Sequence, residues 1–248
     1  MRSATPSVSR RHFLMTGAAA LSASAFLPLS RAFAVTKESS TLQNAISADA
    51  ALQRLMEGNA RYVSNTLKNK DFSVGRAARA KAQHPIAAML ACADSRVAPE
   101  LMFDQGPGDL FLVRLAGNFV NEDSLASLEY AVQFLSVPLV MVLGHSDCGA
   151  IKAAVKVIKE NAVLPGHLPY LIQSLTPAVR NAKQIDPAAS DVVERATIEN
   201  VRLNVQRLET AEPIFKGFVQ QGKVNVVGVV YDIETGKVKL MDAARKRA

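Results

Sequence analysis

The sequence contains no tryptophan and only two cysteines among its 248 residues. Two cysteines in a chain of this length exclude a disulfide-rich scaffold, in which several bridges replace a large hydrophobic core. The longest apolar run is too short, and too rich in alanine, serine and glycine, to predict a transmembrane helix. Hydrophobic residues make up 49% of the chain and charged residues 21%, so the composition supports a packed core and excludes a disordered or fibrous protein.

The excess of basic residues belongs mostly to the N-terminus. The chain has 29 Lys+Arg and 22 Asp+Glu, a net charge of +7. The first 34 residues contain four arginines and no acidic residue, and the remaining 214 residues carry 25 basic and 22 acidic residues, a net charge of +3. No stripe of Lys and Arg remains that could displace counterions from a nucleic acid, so no nucleic-acid partner is predicted. The remaining length suits one α/β domain.

Residues 1–34 have the three parts of an export signal. Paired arginines at Arg10 and Arg11 precede an uncharged apolar run over residues 15–29, and Ala32-Phe33-Ala34 forms an A-x-A cleavage site. The arginine pair resembles the twin-arginine signal of bacteria, and an ordinary Sec signal or an uncleaved anchor is the alternative. Residues 35–46 are mostly polar and read as a linker. The segment predicts a periplasmic or otherwise exported protein, cleaved near Ala34 and without a stable membrane anchor.

The rest of the chain, residues 47–248, is predicted to form one α/β domain. Ser47 can cap a first helix over residues 47–63. Uniformly apolar runs are typical of strands buried on both faces of a parallel sheet, and they occur at residues 86–91, 110–113 and 139–143. Helical patterns follow at residues 122–135, 149–160 and 188–208, and a closing hairpin is predicted from residues 223–231 and 237–241. Alternating strands and helices predict a mainly parallel sheet flanked by helices.

Both cysteines lie just beyond the end of a predicted strand. Cys92 follows the strand at residues 86–91, and His145 and Cys148 follow the strand at residues 139–143. Ligands of open parallel sheets bind outside the carboxyl ends of the strands, so two neighbouring strands would bring the three side chains together. Two thiolates and an imidazole favour zinc, and three protein ligands leave a fourth position open for catalysis.

Three other interpretations compete with a catalytic zinc site. The two cysteines of an exported protein could form a disulfide, or remain inert buried thiols. A structural zinc site would need a fourth Cys or His, but His167 reads as a loop residue and His84 as a surface residue. Beside the first cysteine, Asp94 and Arg96 could form a bidentate pair, a plain surface ion pair, or a set in which Asp94 becomes the fourth zinc ligand.

The motifs at these positions resemble those of the β-class carbonic anhydrases. Cys-x-Asp-Ser-Arg at 92–96 and Gly-His-Ser-x-Cys-Gly at 144–149 match the two signature segments of that family. Further matches cover nearly the whole chain after the signal: Gly-Asn-Ala-Arg-Tyr at 58–62, Gly-Asn at 117–118, Ser-Leu-Glu-Tyr-Ala-Val at 127–132 and Val-Val-Tyr-Asp-Ile-Glu-Thr-Gly at 229–236.

The resemblance implies one Zn²⁺ per chain, held by Cys92, His145 and Cys148, with Asp94 and Arg96 as the catalytic dyad. It also implies that Gln83, Phe111 and Tyr130 line the pocket for carbon dioxide, with core packing as the alternative for the two aromatic residues. The sequence departs from the family at Leu115, where an asparagine is common. Because it has no tryptophan, it also departs from the subgroup that bicarbonate regulates.

The function that the resemblance implies is reversible hydration of carbon dioxide to bicarbonate and a proton, by attack of zinc-bound hydroxide. Hydrolysis of carbonyl sulfide or carbon disulfide on the same fold is one alternative, and a non-catalytic periplasmic zinc-binding module is another. Family members are dimers or larger with active sites at the interface, so a homodimer or homotetramer is expected. The apolar stripe of the helix at residues 47–63 makes that helix a candidate for an arm exchanged between subunits.

Overall fold

The computed structural model describes residues 46–68, 71–73, 75–185 and 191–241. The predicted signal peptide at residues 1–34 lies outside these ranges, as does the predicted linker apart from its last residue, Ile46. Within the described ranges, no helix combines the length and the apolar character that crossing a membrane requires.

A five-stranded sheet with the order β2-β1-β3-β4-β5 organises the domain. The first four strands are parallel, and β5 pairs with β4 in the antiparallel sense. Every residue of β1 and β3 is buried, as their uniformly apolar sequences require. The predicted strands, the parallel sheet and the closing hairpin are confirmed. The strand bounds are β1 Ala87–Ala91, β2 Leu110–Arg114, β3 Leu139–His145, β4 Asn225–Tyr231 and β5 Val238–Leu240.

Eight helices are described: α1 Ala48–Val63, α2 Arg76–Arg79, α3 Pro99–Met102, α4 Glu122–Phe134, α5 Gly149–Glu160, α6 Leu168–Ile185, α7 Val192–Thr210 and α8 Phe215–Gln220. The predicted cap of the first helix is confirmed, since the Ser47 side chain accepts a hydrogen bond from the Ala50 N–H at 3.2 Å. The helix predicted from residue 188 is described from Val192 onward. Helix α6 was not predicted, and its sequence explains why. Pro169 and Pro177 suggest a break. Pro169 lies in the first turn of the helix, where a proline costs little, whereas Pro177 lies inside it.

The sheet is covered on both faces. Alternate strand residues face α1 and α3 on one side, and the other residues face α4 and α7. A third apolar cluster joins α5, α6 and α7 near Cys92 and Cys148, beyond the carboxyl ends of the central strands. The metal-ligand candidates therefore lie where the sheet meets this helical layer.

Helix α1 packs on the sheet of its own chain. Ala51 and Leu55 are fully buried against this face of the sheet. The buried Asn59 side chain donates hydrogen bonds to the carbonyls of Met102 and Gly236, and it accepts one from the Val238 N–H. The apolar stripe that made α1 a candidate arm is thus covered within the chain, so the physical reason for predicting an arm is removed.

Candidate metal centre

Three buried side chains meet where β1 and β3 end. Cys92 directly follows β1, His145 is the last residue of β3, and Cys148 precedes the first residue of α5. Because β1 and β3 are adjacent and parallel, their carboxyl ends lie at the same edge of the sheet. The Sγ atoms of the two cysteines and a ring nitrogen of His145 all lie within 4.8 Å of one another. The adjacency predicted from the strand pattern is therefore confirmed.

The orientation of His145 fits a metal ion. Its Nδ1 lies 2.8 Å from the Ser146 carbonyl oxygen, which can only accept a hydrogen bond, so Nδ1 carries the proton. The Nε2 atom is then a lone-pair donor, and it is buried without a hydrogen-bond partner among the residues that the structure describes. Unpaired buried polar atoms are rare in proteins. A metal ion bound between the two sulfurs and this nitrogen would give Nε2 a partner. Both cysteines are free thiols, so the structure does not have the alternative disulfide.

The local electrostatics favour a thiolate at Cys92. The pKa of Cys92 is lowered, first because the Cys148 thiol donates to it, and further by the Gly117 N–H. The Gly117 nitrogen lies 3.3 Å from Cys92 Sγ. The pKa of Cys148 is raised because it shares its proton with Cys92 and because it is buried. A lowered pKa favours the thiolate form of Cys92, and the thiolate is the form of cysteine that binds a metal ion.

The carboxylate of Asp94 is fixed beside this cluster by Arg96. Arg96 Nε donates to Oδ1 at 2.9 Å, Nη2 donates to Oδ2 at 2.7 Å, and the Arg96 N–H donates to Oδ1 at 3.0 Å. The pKa of Asp94 therefore lies well below its usual range, chiefly because of the Arg96 side chain. Oδ2 lies 4.0 Å from His145 Nε2. Of the arrangements considered from the sequence, the structure has the bidentate pair, with the carboxylate ionised at the edge of the cluster.

Arg114 supports the same segment, and sequence reasoning missed it. Its Nε donates to the Cys92 carbonyl at 3.0 Å, and its Nη2 donates to the Asp94 carbonyl at 2.8 Å. The one signal in the sequence is a charged residue at the end of an otherwise apolar strand. The departure at Leu115 is accommodated by its backbone, whose N–H donates to Ala91 and whose carbonyl accepts from Ala93.

The predicted pocket residues do not join the cluster within one chain. Gln83 is exposed and precedes β1, so it lies at the amino ends of the strands, whereas the cluster lies at their carboxyl ends. Phe111 pairs with Ala88, about 13 Å along the strand from Cys92. Its ring contacts Tyr130, and Tyr130 contacts Phe134, with centroids 6.3 and 5.3 Å apart. Tyr130 and Phe134 are 46% and 50% exposed, so these rings form an aromatic surface beside the edge strand β2 and not a fully packed core.

The two other histidines of the described residues are not part of this cluster. His84 and His167 are both exposed, one before β1 and the other before α6. The described residues contain one group of Cys, His or acidic side chains close enough to hold a metal, and it has three members. The described residues therefore do not provide a structural site with four Cys or His ligands.

A parallel α/β sheet with two thiols, one imidazole and an arginine-bound carboxylate at the carboxyl ends of its strands defines a class of α/β protein whose side chains suit a transition metal. Comparison with known proteins agrees with this class. The sequence profile of the family described as "Carbonic anhydrase" matches residues 87–238. The chain belongs to this family, in its β class, and is a carbonic anhydrase.

Named relatives support this assignment. Carbonic anhydrase 2 of Mycobacterium tuberculosis is 37% identical over 195 residues, which cover 78% of this chain and 92% of that protein. The solved β-carbonic anhydrase of Coccomyxa, in complex with acetazolamide, aligns with a TM-score of 0.62 and 28% identity over 77% of this chain and 86% of that one. A solved β-carbonic anhydrase of Sordaria macrospora, described as tetrameric, gives a TM-score of 0.61 and 25% identity over 79% and 98%.

Proposed function

We propose that this chain catalyses the reversible hydration of carbon dioxide to bicarbonate and a proton, with one zinc ion held by Cys92, His145 and Cys148. The observation that carries the proposal is the buried Nε2 of His145. It has no hydrogen-bond partner among the described residues, faces two thiols and lies 4.0 Å from a carboxylate oxygen of Asp94. Two sulfurs and one nitrogen are ligands that zinc prefers, and three protein ligands leave a position for water.

The residues of the chain prepare the reaction around that position. Zinc, when bound there, lowers the pKa of a water molecule to about 7 and so supplies a nucleophile near neutral pH. Arg96 keeps Asp94 ionised and in one orientation, because it occupies both carboxylate oxygens. Asp94 Oδ2 can then accept a hydrogen bond from the water and direct its lone pair toward carbon dioxide.

Arg96 is itself held at the mouth of the site. Its Nη1 lies 3.6 Å from Asp147 Oδ2, and Nη2 lies 3.4 Å from the Asp147 carbonyl oxygen. Lys152 forms an ion pair with the same Asp147 side chain. Alternating charges from Asp94 to Lys152 therefore favour one arrangement of the dyad, in which Asp94 stays with Arg96 and the fourth metal position stays free.

We further propose that the active unit is a homodimer or homotetramer. The aromatic surface formed by Phe111, Tyr130 and Phe134 adjoins β2, whose outer edge has no neighbouring strand in the described sheet. A second copy would cover both the rings and the open edge. In that assembly Gln83, Phe111 and Tyr130 would line the carbon dioxide pocket of the partner copy. The tetrameric state named for the Sordaria macrospora enzymes supports this proposal.

We also propose that the chain is exported through the twin-arginine pathway. The twin arginines, the uncharged run and the A-x-A site support a periplasmic location with cleavage near Ala34. Replacing Arg10 and Arg11 by lysine should retain active enzyme in the cytoplasm. Normal periplasmic delivery of that variant would contradict twin-arginine export.

Stopped-flow hydration of carbon dioxide by purified, zinc-quantified protein tests the enzymatic proposal. Activity should scale with zinc content toward one ion per chain and should be inhibited by acetazolamide, the compound bound by the Coccomyxa enzyme. The Cys148→Ser variant should lose zinc and activity, whereas His167→Ala, which changes an exposed histidine, should keep both.

Parallel assays with carbonyl sulfide and carbon disulfide complete the experiment. Faster turnover of either compound than of carbon dioxide would replace the proposed reaction with hydrolysis on the same centre. Stoichiometric zinc without turnover of any of the three substrates would leave a zinc-binding module.

A further inference from the structure

Two buried asparagines of α7 connect that helix to the loop beside the first metal ligand. Asn200 is 2% exposed and Asn204 is 6% exposed, and we call them the asparagine pair. Asn200 Nδ2 donates to the Gly117 carbonyl at 2.8 Å. Asn204 Oδ1 accepts from the Val120 N–H at 2.7 Å. The loop at residues 115–120 is therefore held by side-chain amides at two of its backbone groups.

The pair is also connected internally. Asn204 Nδ2 donates to the Asn200 carbonyl at 2.7 Å and to Asn200 Oδ1 at 3.1 Å. In the second contact Asn200 Oδ1 is the acceptor, so Asn200 Nδ2 is the atom that faces the loop. The two contacts thus fix which atom of each amide is the donor. Because these amides are buried and mutually bonded, each has one arrangement that satisfies its donors and acceptors.

The held loop contacts the metal centre at one point. The Gly117 N–H donates to Cys92 Sγ at 3.3 Å, and the carbonyl of the same glycine accepts from Asn200. Gly117 has a φ of +87°, and a Cβ at this position would lie 2.8 Å from Leu175 Cδ1. The loop thus passes close beneath α6 with little room to shift, and Asn200 sets where its amide meets the sulfur.

The asparagine pair is not needed to hold α7 in place. Ala196, Val201 and Leu208 are fully buried on this helix. Val201 packs against β3 at Gly144 and against β4 at Gly228. A Cβ at Gly144 would lie 2.5 Å from one Val201 methyl group, and a Cβ at Gly228 would lie 2.7 Å from the other. Apolar packing therefore positions α7 on the sheet, and the amides are left to position the loop.

We propose that Asn200, supported by Asn204, is a positioning residue for the zinc ligand Cys92, acting through the Gly117 N–H. The inference rests on the proposed zinc centre and extends it to residues that touch neither metal nor substrate. Hydrogen bonds to ligating atoms fix their direction, and removal of such a partner typically lowers metal affinity by about 10–100-fold.

The test compares three alanine variants of the full chain, using zinc and Co²⁺ as probes. Competition with a chromophoric chelator should give a zinc dissociation constant raised about 10–100-fold in Asn200→Ala, with a smaller rise in Asn204→Ala. The matched control is Asn59→Ala, which removes an equally buried asparagine with three hydrogen bonds at the α1–hairpin contact. It should lose stability but keep the zinc affinity of the unmodified protein.

The Co²⁺-substituted proteins provide a second readout that a general loss of stability does not move. The thiolate-to-cobalt charge-transfer band should shift to lower energy in Asn200→Ala, because the Gly117 N–H is no longer held in place and donates less directly to Cys92 Sγ. The band should stay in place in Asn59→Ala.

Unchanged zinc affinity and an unchanged band in Asn200→Ala would overturn the inference, and so would equal changes in Asn59→Ala. If Asn200→Ala does not fold, Asn204→Ala decides by the same criteria. Failure of the unmodified protein to bind zinc would refute the proposed function and this inference together. Normal zinc binding with an unaffected Asn200→Ala would refute the inference alone.

Discussion

Replacing Asn59 by alanine tests how α1 is attached to the domain. The Asn59 side chain donates to the carbonyls of Met102 and Gly236 at 3.1 and 2.9 Å, and it accepts from the Val238 N–H at 2.9 Å. Alanine removes all three hydrogen bonds and leaves the partners on α3 and on the β4–β5 hairpin without this side chain.

The expected loss of stability follows from these three contacts. A buried polar group left without a partner costs about 1–3 kcal/mol, and a carbonyl with a second lone pair in use costs less. One amide and two carbonyls therefore give a loss of about 3–5 kcal/mol in the free energy of unfolding. A domain of this size has about 5–15 kcal/mol in all, so the variant should fold but melt about 6–20 °C lower.

Urea unfolding followed by circular dichroism measures the loss, and sedimentation velocity measures the oligomeric state. The control is Gln53→Ala on the same helix, where the side chain is exposed and bonded to Glu57 alone among the described contacts. It should change the stability by no more than about 0.5 kcal/mol. A loss below about 1 kcal/mol in Asn59→Ala would refute the reasoning. Dissociation of the oligomer at unchanged subunit stability would show that α1 belongs to the interface after all.

Three further predictions concern the site and its support. Cys148→Ser should lose bound zinc, measured by atomic emission, and should melt at the temperature of the chelator-treated parent protein, because metal binding and folding are linked; a zinc-loaded serine variant would argue against Cys148 as a ligand. Arg96→Lys should lower kcat/KM by about tenfold at unchanged zinc content, since an ammonium cannot bind both oxygens of Asp94; parent-level activity would exclude a need for bidentate orientation. Gly144→Ala should lower stability by about 1–3 kcal/mol in urea unfolding, because its Cβ would lie 2.5 Å from Val201 Cγ2, whereas Gly149→Ala, which meets nothing within 4 Å, should not.

The metal-ligand candidates could be found from the sequence because each lies next to a strong local signal. Uniformly apolar runs fix β1 and β3, and residues just past two adjacent parallel strands must meet. No comparable rule reaches Arg114 or the asparagine pair. Arg114 looks like the polar end of a strand, and Asn200 and Asn204 look like ordinary polar positions of a helix. Their partners lie 20 to 84 residues away in the sequence, and only the three-dimensional packing brings them together.

The errors in the prediction also have physical causes. Helix α6 was not predicted; its two prolines weaken the helical signal of the sequence, although α6 buries Leu175 and Val179. The apolar stripe on α1 was assigned to a partner subunit. A helical periodicity shows that one face of the helix is covered, but it does not show which surface covers that face. The pocket roles of Gln83, Phe111 and Tyr130 are not among these errors and stay predictions, because the proposed assembly places them in the pocket of a second copy.

The hairpin contacts of Asn59 have a consequence for the order of events during synthesis. They join residues separated by 177 and 179 positions. Helix α1 can therefore make these contacts only after nearly the whole chain has been synthesised. The loop that carries His145 and Cys148 also needs the last strands of the chain. The Ser146 N–H donates to the Tyr231 carbonyl at 2.8 Å, and Ser146 Oγ accepts from the Ile233 N–H at 3.0 Å. A nascent chain still lacking its last strands has His145 but not these contacts, which hold the residue next to it. The complete site should therefore form only after the last strands have left the ribosome, and a cellular route that moves the chain as a finished fold would move it with these contacts already made.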